Sequence, residues 1–218
     1  MLRILITAGA TREPLDPVRY ISNRSSGKMG YALVRAAKKR GLFVTLITGH
    51  ADILPPKTNK IIHIETALEM KRAVMKHICQ NDIFVMCAAV ADYRAATYSR
   101  KKIKHRNKEW ILRLIRNPDI LKSTFSHAPH IYRVGFALET HAPYENAKQK
   151  LKSKKLDMIV LNCISKKNKV LGLDVSQAGF LMANGAKEEL PMMTKNKLAQ
   201  ILIGRILKNR DTGSLSKI

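Results

Sequence analysis

Short apolar runs alternate with segments of helical period along nearly the whole chain, and this alternation narrows the folds open to it. Ile4-Leu5-Ile6 is apolar at successive positions, as a strand covered on both faces must be. Met29, Leu33, Ala36 and Ala37 then recur at helical spacing, and a second apolar run follows over 42–48 between Gly41 and Gly49. Strand, helix and strand in that order give parallel strands joined by a right-handed crossover. The same reading predicts strands at 60–65, 83–89, 110–115, 131–138 and 156–161, and helices at 26–40, 67–79, 143–155 and 194–208. Thr66 and Glu69 fit a capping box, Pro118 suits the first turn of a short helix, and 179–183 with 189–191 suggest a hairpin. Residues 91–108 lose all periodicity and carry Lys101, Lys102, Lys104 and Arg106, which reads as an exposed flap. A tail at 211–218 reads as disordered. The expected fold is α/β: a Rossmann-like three-layer sandwich with a mainly parallel central sheet, forming one domain over 1–210.

The stretch between the first strand and the first helix holds the chemistry. It ends in Ser25-Ser26-Gly27-Lys28, and a hydroxyl followed by glycine at a helix start leaves backbone amides free for an anion. Arg19 and Asn23, in the loop ahead, suit carboxylate or phosphate oxygens. A dinucleotide fingerprint needs three spaced glycines and an acid after the second strand; here Gly9 stands alone and the second strand ends in Thr48-Gly49-His50. A Walker loop fails too, because Met29 follows Lys28 where the magnesium hydroxyl belongs and Ser22 replaces the upstream glycine. What remains is a set of small or cationic residues near strand ends. Gly9, Ala89, Phe136 and Asn162 fall at predicted carboxyl ends, Asp92 follows one, and Ala88-Ala89 lets a ligand approach the backbone. Lys150 and Lys154 share a helix face. His127, His130 and His141 show no partner spacing.

A net charge of +24 fits plain solvated lysine faces as well as it fits nucleic acid or small polyanions as partners. Aromatics at 6% and the lack of a nucleic-acid motif disfavour nucleic acid. Cys79, Cys87 and Cys163 make neither a metal pattern nor a disulfide framework, which points to a reducing cytoplasm. No run suits a signal peptide or a membrane span.

ITAGATREPLDPVRYISNRSSGKMG, CAAVADYR, KIK, RNPDI, GFALET and AKQKLKSKKLD occur in that order, and together they resemble the bacterial phosphopantothenate–cysteine ligase family of coenzyme A biosynthesis. The resemblance covers about residues 1–208. It implies a ligase that activates the carboxylate of 4′-phosphopantothenate with CTP and magnesium (or manganese), forms an acyl-cytidylate, and passes the acyl group to L-cysteine. Residue by residue, it implies that Asn23 stabilises the intermediate, Arg19 acts in the second half-reaction, and Lys102 closes a flap over the site. It gives nucleotide contacts to Cys87, Ala88, Ala89, Asp92, Lys102, Asn117, Pro118, Asp119, Ile120, Phe136, Lys150 and Lys154. It gives phosphopantothenate contacts to Gly9, Ser25, Gly27, Gly30 and Asn162, and leaves the metal ligands open. A homodimer and a separate decarboxylase partner are also implied. The sequence departs from the family pattern at Leu138, His105 and Cys163.

Overall fold

The computed structural model describes residues 1–104, 109–139, 142–163 and 174–213. The predicted alternation produces a central sheet of strands β1 (Arg3–Ala8), β2 (Phe43–Thr48), β3 (Lys60–His63), β4 (Ile83–Met86), β5 (Tyr132–Glu139), β6 (Met158–Cys163), β7 (Ala178–Met182) and β8 (Lys187–Glu189). Their spatial order is β8-β7-β6-β5-β4-β1-β2-β3. The six strands from β6 to β3 run parallel, and β7 and β8 add an antiparallel edge. The order 3-2-1-4-5-6 is that of a doubly wound sheet, with its switch point between β1 and β4. Helices α1 (Lys28–Lys39), α2 (Ala67–His77), α3 (Ile120–His127), α4 (Pro143–Ser153) and α5 (Lys195–Gly213) supply the two outer layers.

Strand alternation assigns each face its core. Ile4 and Ile6 point into a cluster with Val44, Leu46, Val85, Val160 and the apolar sides of α1 and α5. Leu5, Ile47, Phe84 and Ile159 point the other way, into a cluster with Met70 and Val74 of α2, Leu121 of α3 and Leu151 of α4. Leu198, Leu202 and Ile206 recur every four residues on α5 and are fully buried. Burial of each such side chain stabilises the fold by roughly 1.5–3 kcal/mol, which is why α5 lies down on the sheet beside α1. Thr66 caps α2 as its sequence predicts, accepting from the Glu69 amide at 3.2 Å. The reciprocal bond slips by one residue: Glu69 Oε2 accepts from Glu65 N at 2.8 Å. Buried Glu13 adds a third tie by accepting from Ala67 N at 2.9 Å.

Several boundaries differ from the sequence reading, each for a local reason. Helix α1 begins at Lys28, not 26, because Gly27 takes the left-handed N-cap position at φ 72°. A Cβ at Gly27 would lie 2.5 Å from that of Ala51, so no serine fits there. Strand β4 stops at Met86, because the chain then turns to pair with the loop after β1 through a parallel bridge between Ala10 and Ala89. The strand expected at 110–115 is Leu114–Arg116, and its antiparallel partner is Tyr93–Ala95, inside the stretch read as flap. The true alternation begins late: Ile111 is 91% exposed. Pro118 precedes the α3 N-cap, Asp119, and so lies outside the first turn. Helix α5 runs to Gly213, past the predicted end at Lys208 and into the expected tail. Residues 105–108 of the flap, His141 and the tail from 214 lie outside the described residues. Among the described residues, no helix is long and apolar enough to cross a membrane.

Candidate active site

The loop between β1 and α1, the turn after β4, the carboxyl-end residues of β5 and β6 and the start of α1 enclose a cavity of about 630 Å³ at the carboxyl ends of the parallel strands. Backbone bonds knit the first two of these turns together. Ala89 N donates to Gly9 O at 2.8 Å, and Thr11 N returns a bond to Ala89 O at 3.2 Å. The Thr11 hydroxyl accepts from Ala91 N at 3.0 Å and fixes the turn after β4.

Ten of the residues predicted from sequence line this cavity: Asn23, Ser25, Gly27, Gly30, Cys87, Ala88, Ala89, Asp92, Phe136 and Asn162. Asn23 sits at the mouth, where its amide nitrogen donates to Val90 O at 3.0 Å. That bond uses one amide hydrogen and leaves a second to donate. Ser25 Oγ accepts from Gly27 N, and no side chain caps α1, whose first turn borders the cavity. Gly30 lets α1 approach β1 closely: a Cβ there would lie 2.4 Å from that of Ala8. Phe136 lies within β5 rather than at its end. Asn162 Oδ1 accepts from Ser176 Oγ at 3.3 Å. Burial pushes the Cys87 thiol up to about 12, so it stays protonated and is no nucleophile at neutral pH.

The other predicted residues stand outside the cavity lining. Gly9 lies behind it, joined to Ala89. Asn117 works as a bracket: its side chain donates to Ala91 O at 2.9 Å and its backbone amide to Asp92 O at 2.8 Å. Asp119 caps α3 by accepting from Lys122 N and pairs with Lys154 at 3.2 Å, while Ile120 is buried in the core. Lys150 pairs with Glu139 at 2.5 Å. A part-exposed pair such as Lys154–Asp119 contributes only about 0–1 kcal/mol, so a polyanion can take over the lysine.

Arg19 holds the root of the flap at Ile103, beside Lys102. Arg19 Nη2 donates to Asp16 Oδ2 at 2.6 Å and to Ile103 O at 2.6 Å, and its guanidinium stacks on Trp110. Ile103 N donates to the same Asp16 oxygen at 3.1 Å. Lys102, next in the chain, is exposed.

Sequence reasoning missed five polar lining residues as cavity groups: Arg24, Ser26, Lys28, Ser176 and Lys195. Arg24, Ser26 and Lys28 belong to a motif already singled out. Ser176 and Lys195 carry no local signal, because only the packing of α5 beside α1 brings them to the cavity.

A doubly wound sheet with an uncapped helix start and several cations around a switch-point cavity defines an α/β protein that handles anionic ligands. A model of the DNA/pantothenate metabolism flavoprotein C-terminal domain matches residues 1–209, and the chain belongs to that family. The coenzyme A biosynthesis bifunctional protein CoaBC of Escherichia coli (strain K12) is 44% identical over 216 residues, covering 96% of this chain and 52% of that protein. Its namesake from Haemophilus influenzae (strain ATCC 51907 / DSM 11121 / KW20 / Rd) is 43% identical over 210 residues, covering 95% and 52%. The chain thus spans about half the length of the curated relatives it matches. The crystal structure of a CoaBC C-terminal domain superposes with a TM-score of 0.81 at 35% identity, covering 96% of both chains. A Cab2 mutant in complex with phosphopantothenate-cysteine shares the fold, with a TM-score of 0.81 at 18% identity over 100% of this chain and 89% of that one.

Proposed function

We propose that this chain joins 4′-phosphopantothenate to L-cysteine at the expense of CTP, releasing pyrophosphate and CMP. The reading is carried by the cavity, where Asn23, the uncapped start of α1 and the small-residue turn Cys87–Ala89 converge. Membership of the family and the coenzyme A biosynthesis name of the E. coli relative support it.

In the first step a carboxylate oxygen of the acid attacks the α-phosphorus, and the bond to the β-phosphate breaks. In the second, the cysteine amine attacks the acyl carbon, CMP leaves with the bonding electrons, and the amine gives up a proton. The chain's contribution is alignment and neutralisation of charge. Asn23 offers its remaining amide hydrogen to the oxygen that gains charge. Cys87, Ala88 and Ala89 keep the turn low enough for a nucleotide to lie against the backbone. Lys150 and Lys154 leave their carboxylate partners for the triphosphate. Arg19 holds the flap root and Lys102 covers the site. Among the described residues no three metal-ligating side chains cluster, and Asp92 is the one carboxylate on the cavity wall. That donor set fits magnesium or manganese held by Asp92, substrate phosphates and water, where the ion neutralises phosphate charge.

The enzyme works in a cytoplasm as a homodimer, and a decarboxylase, fused or separate, takes its product, as the family resemblance implies; the word bifunctional in the name of the relatives is compatible with a second, fused activity. The test is release of pyrophosphate with phosphopantothenate and each of CTP, ATP, GTP and UTP. Release with CTP alone, and CMP accumulation on adding cysteine, is expected; silence with all four overturns the reading.

A further inference from the structure

Arg94 points its guanidinium at uncharged oxygens. It lies in the hairpin of Tyr93–Ala95 and Leu114–Arg116, just past Asp92 on the cavity wall. Its Nη1 donates to Arg116 O at 2.7 Å and to Asn117 Oδ1 at 3.0 Å. Among the described residues it pairs with no carboxylate. Asn117 passes the hold on. Its Nδ2 donates to Ala91 O at 2.9 Å and its backbone amide to Asp92 O at 2.8 Å. The turn after β4 is thus held from two sides, because Ala91 N donates to the Thr11 hydroxyl at 3.0 Å. A side-chain amide has two orientations, whereas a guanidinium only donates. Arg94 therefore keeps the Asn117 oxygen toward itself and the Asn117 nitrogen toward Ala91. Turned over, the amide would set its nitrogen against the guanidinium and its oxygen against a carbonyl, and both bonds would be lost.

We infer that Arg94 is a positioning residue for the nucleotide step: acting through Asn117, it holds the turn after β4 at the depth where CTP lies and Asn23 is aimed. The inference rests on the ligase reading and adds a residue to it. The turn carries Cys87, Ala88, Ala89 and Asp92 on the cavity wall, and Val90 O is the acceptor for Asn23 Nδ2. Ala91 adjoins Val90 and Asp92 in the chain, so releasing its carbonyl loosens both. Gly27, Gly30 and Asn162, the positions the resemblance gives to phosphopantothenate, stand at the start of α1 and in β6, away from this chain of bonds. Loss of Arg94 should therefore weigh on the nucleotide and spare the acid. It should also spare the fold, because Arg94 is half-buried on a hairpin outside the main sheet.

The test compares wild type with Arg94→Met, Arg94→Lys, Asn117→Leu and the double variant of Arg94→Met with Asn117→Leu. The readouts are pyrophosphate release, thermal unfolding and amide hydrogen exchange. Arg94→Met should raise the KM for CTP by about fivefold or more while the KM for phosphopantothenate stays within about twofold. Its melting temperature should stay within about 2 °C of wild type. Arg94→Lys, which keeps a donor, should restore most of the loss. The double variant should be no worse than Asn117→Leu alone, because the arginine acts through the amide. The backbone amides of Ala91 and Asn117 should exchange faster in Arg94→Met than in wild type. An unchanged KM for CTP overturns the role, as does an equal rise for both substrates. Effects that multiply in the double variant overturn it too, and a drop of many degrees in melting temperature would make Arg94 a prop of the fold instead. Wild type that releases no pyrophosphate overturns the ligase reading. Exchange at Ala91 and Asn117 then still decides whether Arg94 holds the turn.

Discussion

At Asp16 the amides of Val18, Arg19 and Ile103 and the guanidinium of Arg19 converge on one carboxylate. The Arg19 guanidinium holds that carboxyl far below the usual range. A depressed folded pKa means that the contribution of Asp16 to stability is full above its ordinary value of 3.8 and is lost as pH falls below it. Unfolding of Asp16→Asn followed between pH 7 and pH 3 should therefore depend less steeply on pH than wild type. The same variant weakens the hold of Asp16 on Arg19 and Ile103, so kcat should fall, because the anchor beside Lys102 loosens. Lys102→Gln should slow turnover without moving the melting temperature, since the side chain is exposed; a drop of many degrees would place Lys102 in the core instead. Asn23→Asp should still bind nucleotide, yet form little product, because a second negative charge meets the charge the asparagine is there to relieve. Product formed at the wild-type rate would remove Asn23 from its role. Asn23 and the SSGKMG motif were legible in the sequence because they form one contiguous polar stretch that runs straight into the helical period of α1. Asp16 was not, since its value lies in Ile103, which reaches it only through the fold.

At the scale of elements, periodicity told strand from helix wherever one face or both are buried. It failed where neither is. The hairpin of Tyr93–Ala95 and Leu114–Arg116 stands off the main sheet, and its residues are exposed or half-buried, so no apolar pattern marks them. The α1 start was misplaced for a different reason. Serine is the usual cap, and only contact with Ala51 reveals that Gly27 must take the position. Gly30→Val should push α1 from β1 and destabilise by about 1–3 kcal/mol, measured by urea unfolding. Leu202→Ala in α5 should cost about 2–5 kcal/mol in the same assay. A smaller loss would mean that α5 is less firmly seated than its buried face implies.

Across the whole molecule, the net charge of +24 sets how substrates arrive. A strongly positive protein attracts two polyanions, so kcat/KM for phosphopantothenate and for CTP should both fall as salt rises from about 0.05 to 0.3 M, where the screening length shortens. Flat rates across that range would detach the charge from the chemistry. The strand order carries a further consequence. The loops after β1 and β4 are stitched by mutual backbone bonds although α1, β2, β3, α2 and β4 intervene in the chain. Neither loop holds its shape without the other, so the two halves of the polypeptide mature together. A bound molecule resting on that seam should slow deuterium uptake at Thr11 and Ala89 alike, and a cut between α2 and β4 should abolish both protections at once.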